Sequence, residues 1–197
     1  MKTLTVPSAK KPAKAESQGL LSVPSELSFK LCSRFTAEDR ALFDAGNADK
    51  VSSDVGRFLA REDNWALQHG EYDWERMDCL VAFWDDEPVG YQQFSISDDG
   101  KRGFGDGVFV EEDYHGRRIS KMLREVLYPH LKKMGVETMR IHYAVTDAAV
   151  GLAESDKRDY ADAIVDEGLN EALKLPFYVI GLKEFKPKYD ASGITLK

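Results

Sequence analysis

The chain has 197 residues, of which 43% are hydrophobic and 31% are charged, and its net charge is −7. This composition is typical of one globular domain with a hydrophobic core, and the acidic balance argues against a broad nucleic-acid-binding surface while allowing a local basic pocket. The two cysteines and four scattered histidines form no disulfide framework and no metal-ligand spacing, so we predict free thiols, a cytoplasmic protein and no metal site. No apolar run approaches the length of a membrane span, and we predict no membrane partner.

Residues 1–25 are rich in Lys, Ala, Pro and Ser and carry little apolar surface. Such a segment cannot build its own core, so we predict a flexible basic arm over 1–25 and a folded domain over 26–197. The arm is either a floppy tail or a segment that docks on a protein partner.

The first half of the folded part mixes strand and helix patterns. Helices are predicted to begin near Thr36 and Ser52. Alternating or continuous apolar residues predict strands, over 27–31, 79–84, 89–97 and 102–110. In the last of these strands Gly103, Gly105 and Gly107 share one face, which either invites close approach by a ligand or simply lacks packing.

The most informative stretch runs from Val108 to Leu123 and predicts a strand, a polar turn and a helix. From Ile119 the apolar residues follow helical spacing, and the helix is predicted to end at Gly135. The helix start carries free backbone N–H groups together with the basic side chains of Arg117, Arg118 and Lys121, and this combination suits a phosphate. Alternatively, these basic side chains are only solvated.

The C-terminal part predicts another strand with Met139 and Ile141 on one face and His142 on the other. It then predicts a loop over 146–155, a helix over 156–167 with Tyr160 and Ile164 inward, and short strands around 173 and over 177–185.

The order of these elements resembles the GCN5-related N-acetyltransferase (GNAT) superfamily over about residues 27–186. The stretch Val110-Glu-Glu-Asp-Tyr-His-Gly-Arg-Arg-Ile-Ser120 looks like that family's acetyl-CoA motif. On this match His115 takes the Arg/Gln position, while Arg118 and Ser120 take the two small positions; arginine in place of glycine is the main departure. The resemblance implies an α/β (α+β) fold, a mixed and mostly antiparallel sheet flanked by about four helices.

The resemblance also implies acetyl-CoA as co-substrate, with its pyrophosphate on the turn and its pantetheine along the preceding strand. The implied cofactor-binding residues are Phe109, Val110, His115, Gly116, Arg117, Arg118, Ile119, Ser120 and Lys121. The Gly168-Leu169 pair is similar to the Gly-Phe that ends the family's next helix, which places Ile164 where the family keeps a tyrosine acid. Tyr160, one turn earlier, is then the candidate acid, and Asp106 and His142 are candidate bases.

Two functions of different classes remain open at this point. One is an enzyme that moves an acetyl group from acetyl-CoA to an amine of a small molecule or a protein. The other is a catalytically silent subunit of this fold in a larger assembly, for example a virion protein, located in the particle or the host cytoplasm. The strand–turn–helix favours the first, whereas Arg118, Ile164 and the basic arm favour the second.

Overall fold

The computed structural model describes residues 20–32, 38, 41–42, 45–47, 50, 78–194 and 196. Two strands pair in parallel at the chain's ends, β1 (Leu21–Ser22) and β9 (Tyr189–Asp190). The other strands are β2 (Leu27–Cys32), β3 (Asp78–Trp84), β4 (Glu87–Ile96), β5 (Arg102–Val110), β6 (Thr138–His142), β7 (Ile164–Asn170) and β8 (Leu175–Gly181). These form one seven-stranded sheet in the order β2-β3-β4-β5-β6-β8-β7.

All neighbours in this sheet are antiparallel except β5 and β6, which are parallel. The predicted mixed, mostly antiparallel sheet is therefore confirmed. The helices expected to begin near Thr36 and Ser52 lie largely outside the described residues.

Two α-helices are described over their whole length, α1 (Ile119–Lys133) and α2 (Asp147–Asp159). Helix α1 confirms the predicted amphipathic helix, since its large apolar residues are almost fully buried. It packs against β3, β4 and β5, with basic residues in its last turn, where they suit the helix dipole. No helix of the described residues is long and apolar enough to cross a bilayer.

The predictions of a loop over 146–155 and a helix over 156–167 are wrong. The expected loop over 146–155 belongs to α2, whose first turn is capped by Thr146 through a hydrogen bond from the Ala149 N–H to Oγ1. The helix ends at Asp159 with Tyr160 as its C-cap, and a short 3₁₀ turn leads directly into β7 at Ile164. The segment expected to be a helix over 156–167 therefore contains the last residues of α2, the 3₁₀ turn and the first residues of an edge strand.

The strand β1 lies inside the segment 1–25 that the sequence assigns to the arm. The Leu21 N–H donates to the Lys188 carbonyl at 2.8 Å, and Val23 packs against the core. The described end of that segment is therefore part of the folded domain.

The feature that positions the site is the separation of β5 from β6. Their pairing runs from Arg102 opposite Thr138 to Gly105 opposite Ile141, and it stops there. On its other side, β5 contains a bulge against β4, because Gln93 faces Gly107 and Phe94 faces Gly105, which leaves Asp106 as the extra residue. A bulge bends its strand, so β5 turns away from β6 and opens a fork in the sheet beyond Gly105.

Candidate functional site

A cavity of about 860 Å³ opens at this fork and extends to the start of α1. It is lined along β5 by Gly105, Gly107, Val108 and Val110. At about 3.3 Å per residue, the path from Gly105 to Val110 spans roughly 17 Å. The cavity is therefore a long slot with the fork at one end and the turn before α1 at the other.

The turn end of the slot presents unpaired backbone donors. Among the described residues, the N–H groups of Gly116, Arg118, Ile119 and Ser120 make no backbone hydrogen bond. Gly116 has φ +78° and Arg118 has φ +62°, so both hold the left-handed conformation. This conformation turns successive N–H groups toward one concave surface, which is a favourable anion site at a helix start.

The turn is tied to the strand by His115. Its Nε2 lies 2.8 Å from the Val110 carbonyl oxygen, and because a carbonyl can only accept, Nε2 carries the proton and donates. The ring thus fixes the end of β5 against the turn and keeps the N–H groups in place.

Arg117 and Arg118 have different positions. The Arg117 guanidinium lies 4.8 Å from the Trp84 ring centre and 5.0 Å from that of Tyr114, so two aromatic rings hold it in place. Arg118 lines the cavity directly. None of the described residues that line the cavity carries a carboxylate, so this cavity favours an anionic ligand although the whole chain is acidic.

Most of the residues predicted to bind a cofactor meet at the turn end of this cavity. The lining includes Val110, His115, Gly116, Arg118, Ile119 and Ser120. Phe109 does not line it and instead stacks on Tyr91. Lys121 is directed elsewhere, because its ammonium group is paired with the Asp159 carboxylate.

Of the three predicted catalytic residues, Tyr160 lies apart from the cavity where His142 is found. His142 lines the cavity at the fork, and the Asp106 backbone forms the bulge beside it, whereas the Asp106 side chain lies outside the described residues. Tyr160 is 4% exposed, does not line the cavity, and donates its hydroxyl to the Glu125 carboxylate. Burial, with this carboxylate next to it, raises the pKa of Tyr160 well above its usual range.

A buried polar network lies behind the cavity wall. Arg124 is 3% exposed and pairs with Asp156, which also accepts a hydrogen bond from the Tyr178 hydroxyl at 2.6 Å. The Glu125 carboxylate accepts from Tyr160 and from backbone N–H groups near Lys188. Burial raises the pKa of Glu125, although these hydrogen bonds act in the opposite direction. The network joins α1, α2 and β8 and fixes one wall of the site.

Sequence reasoning missed several residues of the cavity lining, namely Gln92, Tyr114, Arg124, Tyr143 and Tyr178. Gln92 is 2% exposed; its Nε2 donates to the carbonyls of Gln93 and Gly107, while its Oε1 is buried without a hydrogen-bond partner among the described residues. No local pattern marks such a glutamine, because its burial depends on pairing between strands. No group of three His, Cys, Asp or Glu side chains in the described part of the chain is placed to hold a metal ion.

A slot between two separating parallel strands, closed by an anion-binding turn and helix, defines an acyl-CoA-dependent acyltransferase type of fold. Residues 49–155 match the acetyltransferase (GNAT) family, which is more than half of the chain. The chain belongs to the GNAT acetyltransferase family. No curated protein matches it.

Solved structures share this fold at low sequence identity. A protein from Klebsiella pneumoniae assigned to the acyl-CoA N-acyltransferases matches with a TM-score of 0.51 and 14% identity, over 79% of this chain and 97% of that one. A protein from Desulfovibrio desulfuricans assigned to the GNAT family matches with a TM-score of 0.51 and 12% identity, over 79% of this chain and 99% of that one. RimL, a ribosomal L7/L12 alpha-N-protein acetyltransferase solved with coenzyme A, matches with a TM-score of 0.50 and 15% identity, over 85% of this chain and 100% of that one. The predicted fold class is thereby confirmed.

Proposed function

We propose that this protein transfers an acetyl group from acetyl-CoA to a primary amine. The observation that carries the proposal is the slot itself. One end offers four unpaired N–H groups and the Arg118 side chain for a pyrophosphate, with Arg117 next to Arg118 in the chain, and a roughly 17 Å run of β5 leads from there to the fork. An extended anionic thioester fits a site with charge recognition at one end and open strand edges at the other.

In this reaction the amine nitrogen attacks the thioester carbonyl carbon. The new C–N bond forms, the C–S bond breaks, and the proton lost by the amine is balanced by the proton gained by the departing thiolate. The protein contributes mainly by holding the two reactants together and by offering donors to the developing negative charge.

The proton donor we propose is Tyr143 in place of Tyr160. Of the tyrosines that line the slot, Tyr178 already donates to Asp156 and Tyr114 packs on Trp84 at the turn end. Tyr143 follows directly after β6 at the fork, and its hydroxyl makes no hydrogen bond with the described residues. A phenol at this end of the slot is close to the position that the leaving sulfur must occupy. Asp106 stays a predicted base, and Asp106→Asn with a rate measurement tests it.

The first experiment measures binding. Coenzyme A at a hundredfold excess over its Kd should stabilise the protein by about 2.7 kcal/mol, which is roughly 5–10 °C in Tm for a chain of this size. The double variant Arg117→Glu/Arg118→Glu should abolish this shift while the unliganded protein stays folded. The matched control is Lys183→Glu/Lys186→Glu, which changes the charge equally at two exposed lysines outside the cavity and should keep the shift.

The second experiment measures turnover as thiol release from acetyl-CoA with a panel of small amines, peptide N-termini and lysine peptides. Tyr143→Phe should lower kcat by about 10²–10⁴-fold with little change in coenzyme A affinity. Tyr160→Phe should leave kcat unchanged and lower stability instead. Binding without release on any amine would favour the catalytically silent subunit, and the absence of both binding and release would refute the proposal.

A further inference from the structure

The side chain of Asn170 determines which nitrogen of the His142 ring carries the proton. His142 is the last residue of β6, and Asn170 is the last residue of β7, with β8 between the two strands. Their side chains meet above β8, where the Asn170 amide nitrogen lies 3.2 Å from the His142 Nε2. The question is which of the two groups donates.

The orientation of the Asn170 amide answers this question. Its Oδ1 accepts hydrogen bonds from the N–H groups of Ala172 and Leu173, both at 3.1 Å. Since backbone N–H groups can only donate, the atom they face must be the amide oxygen. The amide cannot be turned over, and its NH₂ group is the one that faces His142.

An NH₂ group has no acceptor capacity, so the His142 Nε2 must be the acceptor. An accepting ring nitrogen carries no proton, and the neutral ring then keeps its proton on Nδ1. Burial, together with the nearby Arg140, lowers the pKa of His142, in agreement with a neutral ring at pH 7.

The groups that surround the ring are consistent with this state. Arg140 lies on the same strand, and Phe177 on β8 contacts the ring edge to face with centroids 6.0 Å apart. The Arg140 guanidinium lies 4.5 Å from the Phe177 ring centre. No carboxylate among the described residues acts on the pKa of His142, so nothing in this environment favours a protonated ring.

We propose that Asn170 holds His142 as the Nδ1–H tautomer and that His142 is a hydrogen-bond donor to the thioester carbonyl oxygen, not a general base. The donor role rests on the proposed function. It follows from position: if the pyrophosphate lies at the turn, the reactive end of the ligand lies at the fork, where His142 lines the slot. A neutral N–H at that place stabilises the negative charge that develops on the carbonyl oxygen.

The tautomer can be measured without any enzymatic activity. Histidine-labelled full-length protein is studied by ¹⁵N NMR at pH 7, with the His142 signals assigned by their loss in His142→Asn. The expected pattern is a protonated Nδ1 and an unprotonated Nε2. In Asn170→Asp the carboxylate keeps an oxygen for Ala172 and Leu173 and presents its other oxygen to Nε2. This variant should move the proton to Nε2 and raise the pKa of His142.

The control for the added charge is Asn47→Asp, at a partly buried asparagine outside the cavity lining whose side chain bonds to Ala45 and Lys50. It should leave the His142 signals unchanged. A wild-type ring protonated on Nε2, or one that exchanges between both forms, would overturn the proposal.

The donor role is tested by ligand and by rate. Acetyl-CoA should shift the Nδ1–H signal, whereas coenzyme A, which lacks the carbonyl, should shift it far less; equal shifts would refute the donor role. His142→Asn keeps an N–H near the Nδ1 position and should retain kcat within about tenfold, while His142→Leu should lose about 10²–10³-fold, the usual effect of removing one such donor. Equal losses in the two variants would refute the donor role.

These experiments distinguish a failure of the proposed function from a failure of the inference about His142. If neither ligand binds, the proposed function and the donor role fail together, while the NMR pattern of the free protein still decides the tautomer. If the ligands bind and turn over but His142 is protonated on Nε2, only the inference about His142 fails.

Discussion

Arg118 is the clearest place to test how this turn is built, because an L-residue occupies a conformation suited to glycine. Its φ of 62° and ψ of 23° are left-handed, which costs roughly 1–2 kcal/mol for a residue with a Cβ atom. Replacement by glycine removes this strain but adds about 0.5–1 kcal/mol of unfolded-state entropy cost. The variant Arg118→Gly should therefore be more stable by about 0.5–1 kcal/mol, which corresponds to a Tm increase of about 1–4 °C.

The same variant should weaken binding, because it removes one of the two cationic side chains at the turn. A charge of this kind at a helix start is worth about 0.3–1 kcal/mol, so coenzyme A affinity should fall roughly 2–5-fold. Arg118→Ala is the control: it loses the charge equally but keeps the strain, so its Tm should stay within about 1 °C of the wild type. The measurements are thermal unfolding and calorimetric titration. An Arg118→Gly protein that is less stable than Arg118→Ala would refute the argument from backbone strain.

The turn, the buried network and the N-terminal strand can each be tested by a change in stability. Gly116→Ala, at φ +78° with no atom within 4 Å of the added Cβ, should cost about 1 kcal/mol in a denaturant melt through backbone strain alone; an unchanged midpoint would contradict this. Asp156→Ala should cost about 3–5 kcal/mol because it strands the buried Arg124, and the double variant Arg124→Met/Asp156→Leu should recover most of the loss; a double variant as unstable as the single one would refute this. The pKa of Glu125 is raised in the folded protein, so the wild type loses stability as the pH rises from the pKa of the unfolded state to that of the folded state. Glu125→Gln cannot ionise, and its NH₂ can donate to the Tyr160 oxygen, so this variant should gain stability relative to the wild type as the pH rises. A stability difference between the two proteins that stays constant from pH 5 to 8 would exclude this. Deleting residues 1–19 should leave Tm unchanged, whereas deleting 1–25 should lower it by several degrees through loss of β1 and Val23; equal effects of the two deletions would show that β1 contributes nothing.

Helix α1 could be predicted from the sequence for a simple physical reason. Its large buried residues recur at helical spacing, and Met122, Leu123 and Leu127 are each no more than 2% exposed. The turn before the helix was predictable for the same reason, since a helix start fixes where the free N–H groups lie. Local periodicity is sufficient when the buried face is made of large apolar side chains.

Helix α2 could not be recognised in this way. Its buried residues are Ala153 and Asp156, which form no apolar stripe. The available signal was Thr146, a good N-cap residue followed by a run of helix-forming residues. Tyr160 and Ile164 have the spacing of a helix face, but Tyr160 lies in the core next to Phe185 and its hydroxyl donates to Glu125 on α1. That contact joins residues 35 positions apart and has no trace in the local sequence.

The positions of Arg118 and Ile164 change the balance between the two functions that the sequence left open. Arg118 favoured a silent subunit because glycine was expected at its position, yet Arg118 adopts the left-handed conformation for which glycine is suited, and the N–H groups of the turn stay open. The substitution therefore changes stability and local charge and leaves the path of the chain at the proposed pyrophosphate site intact.

Ile164 favoured a silent subunit because it was placed on a helix in the position of an acid, but it begins an edge strand. Its identity therefore says nothing about the acid, and Tyr143 lines the slot at the fork, where the proposed reaction would need a proton donor. Of the three features that favoured the silent subunit, only the basic arm retains its weight, and an arm of this kind is compatible with an enzyme that acts on a protein.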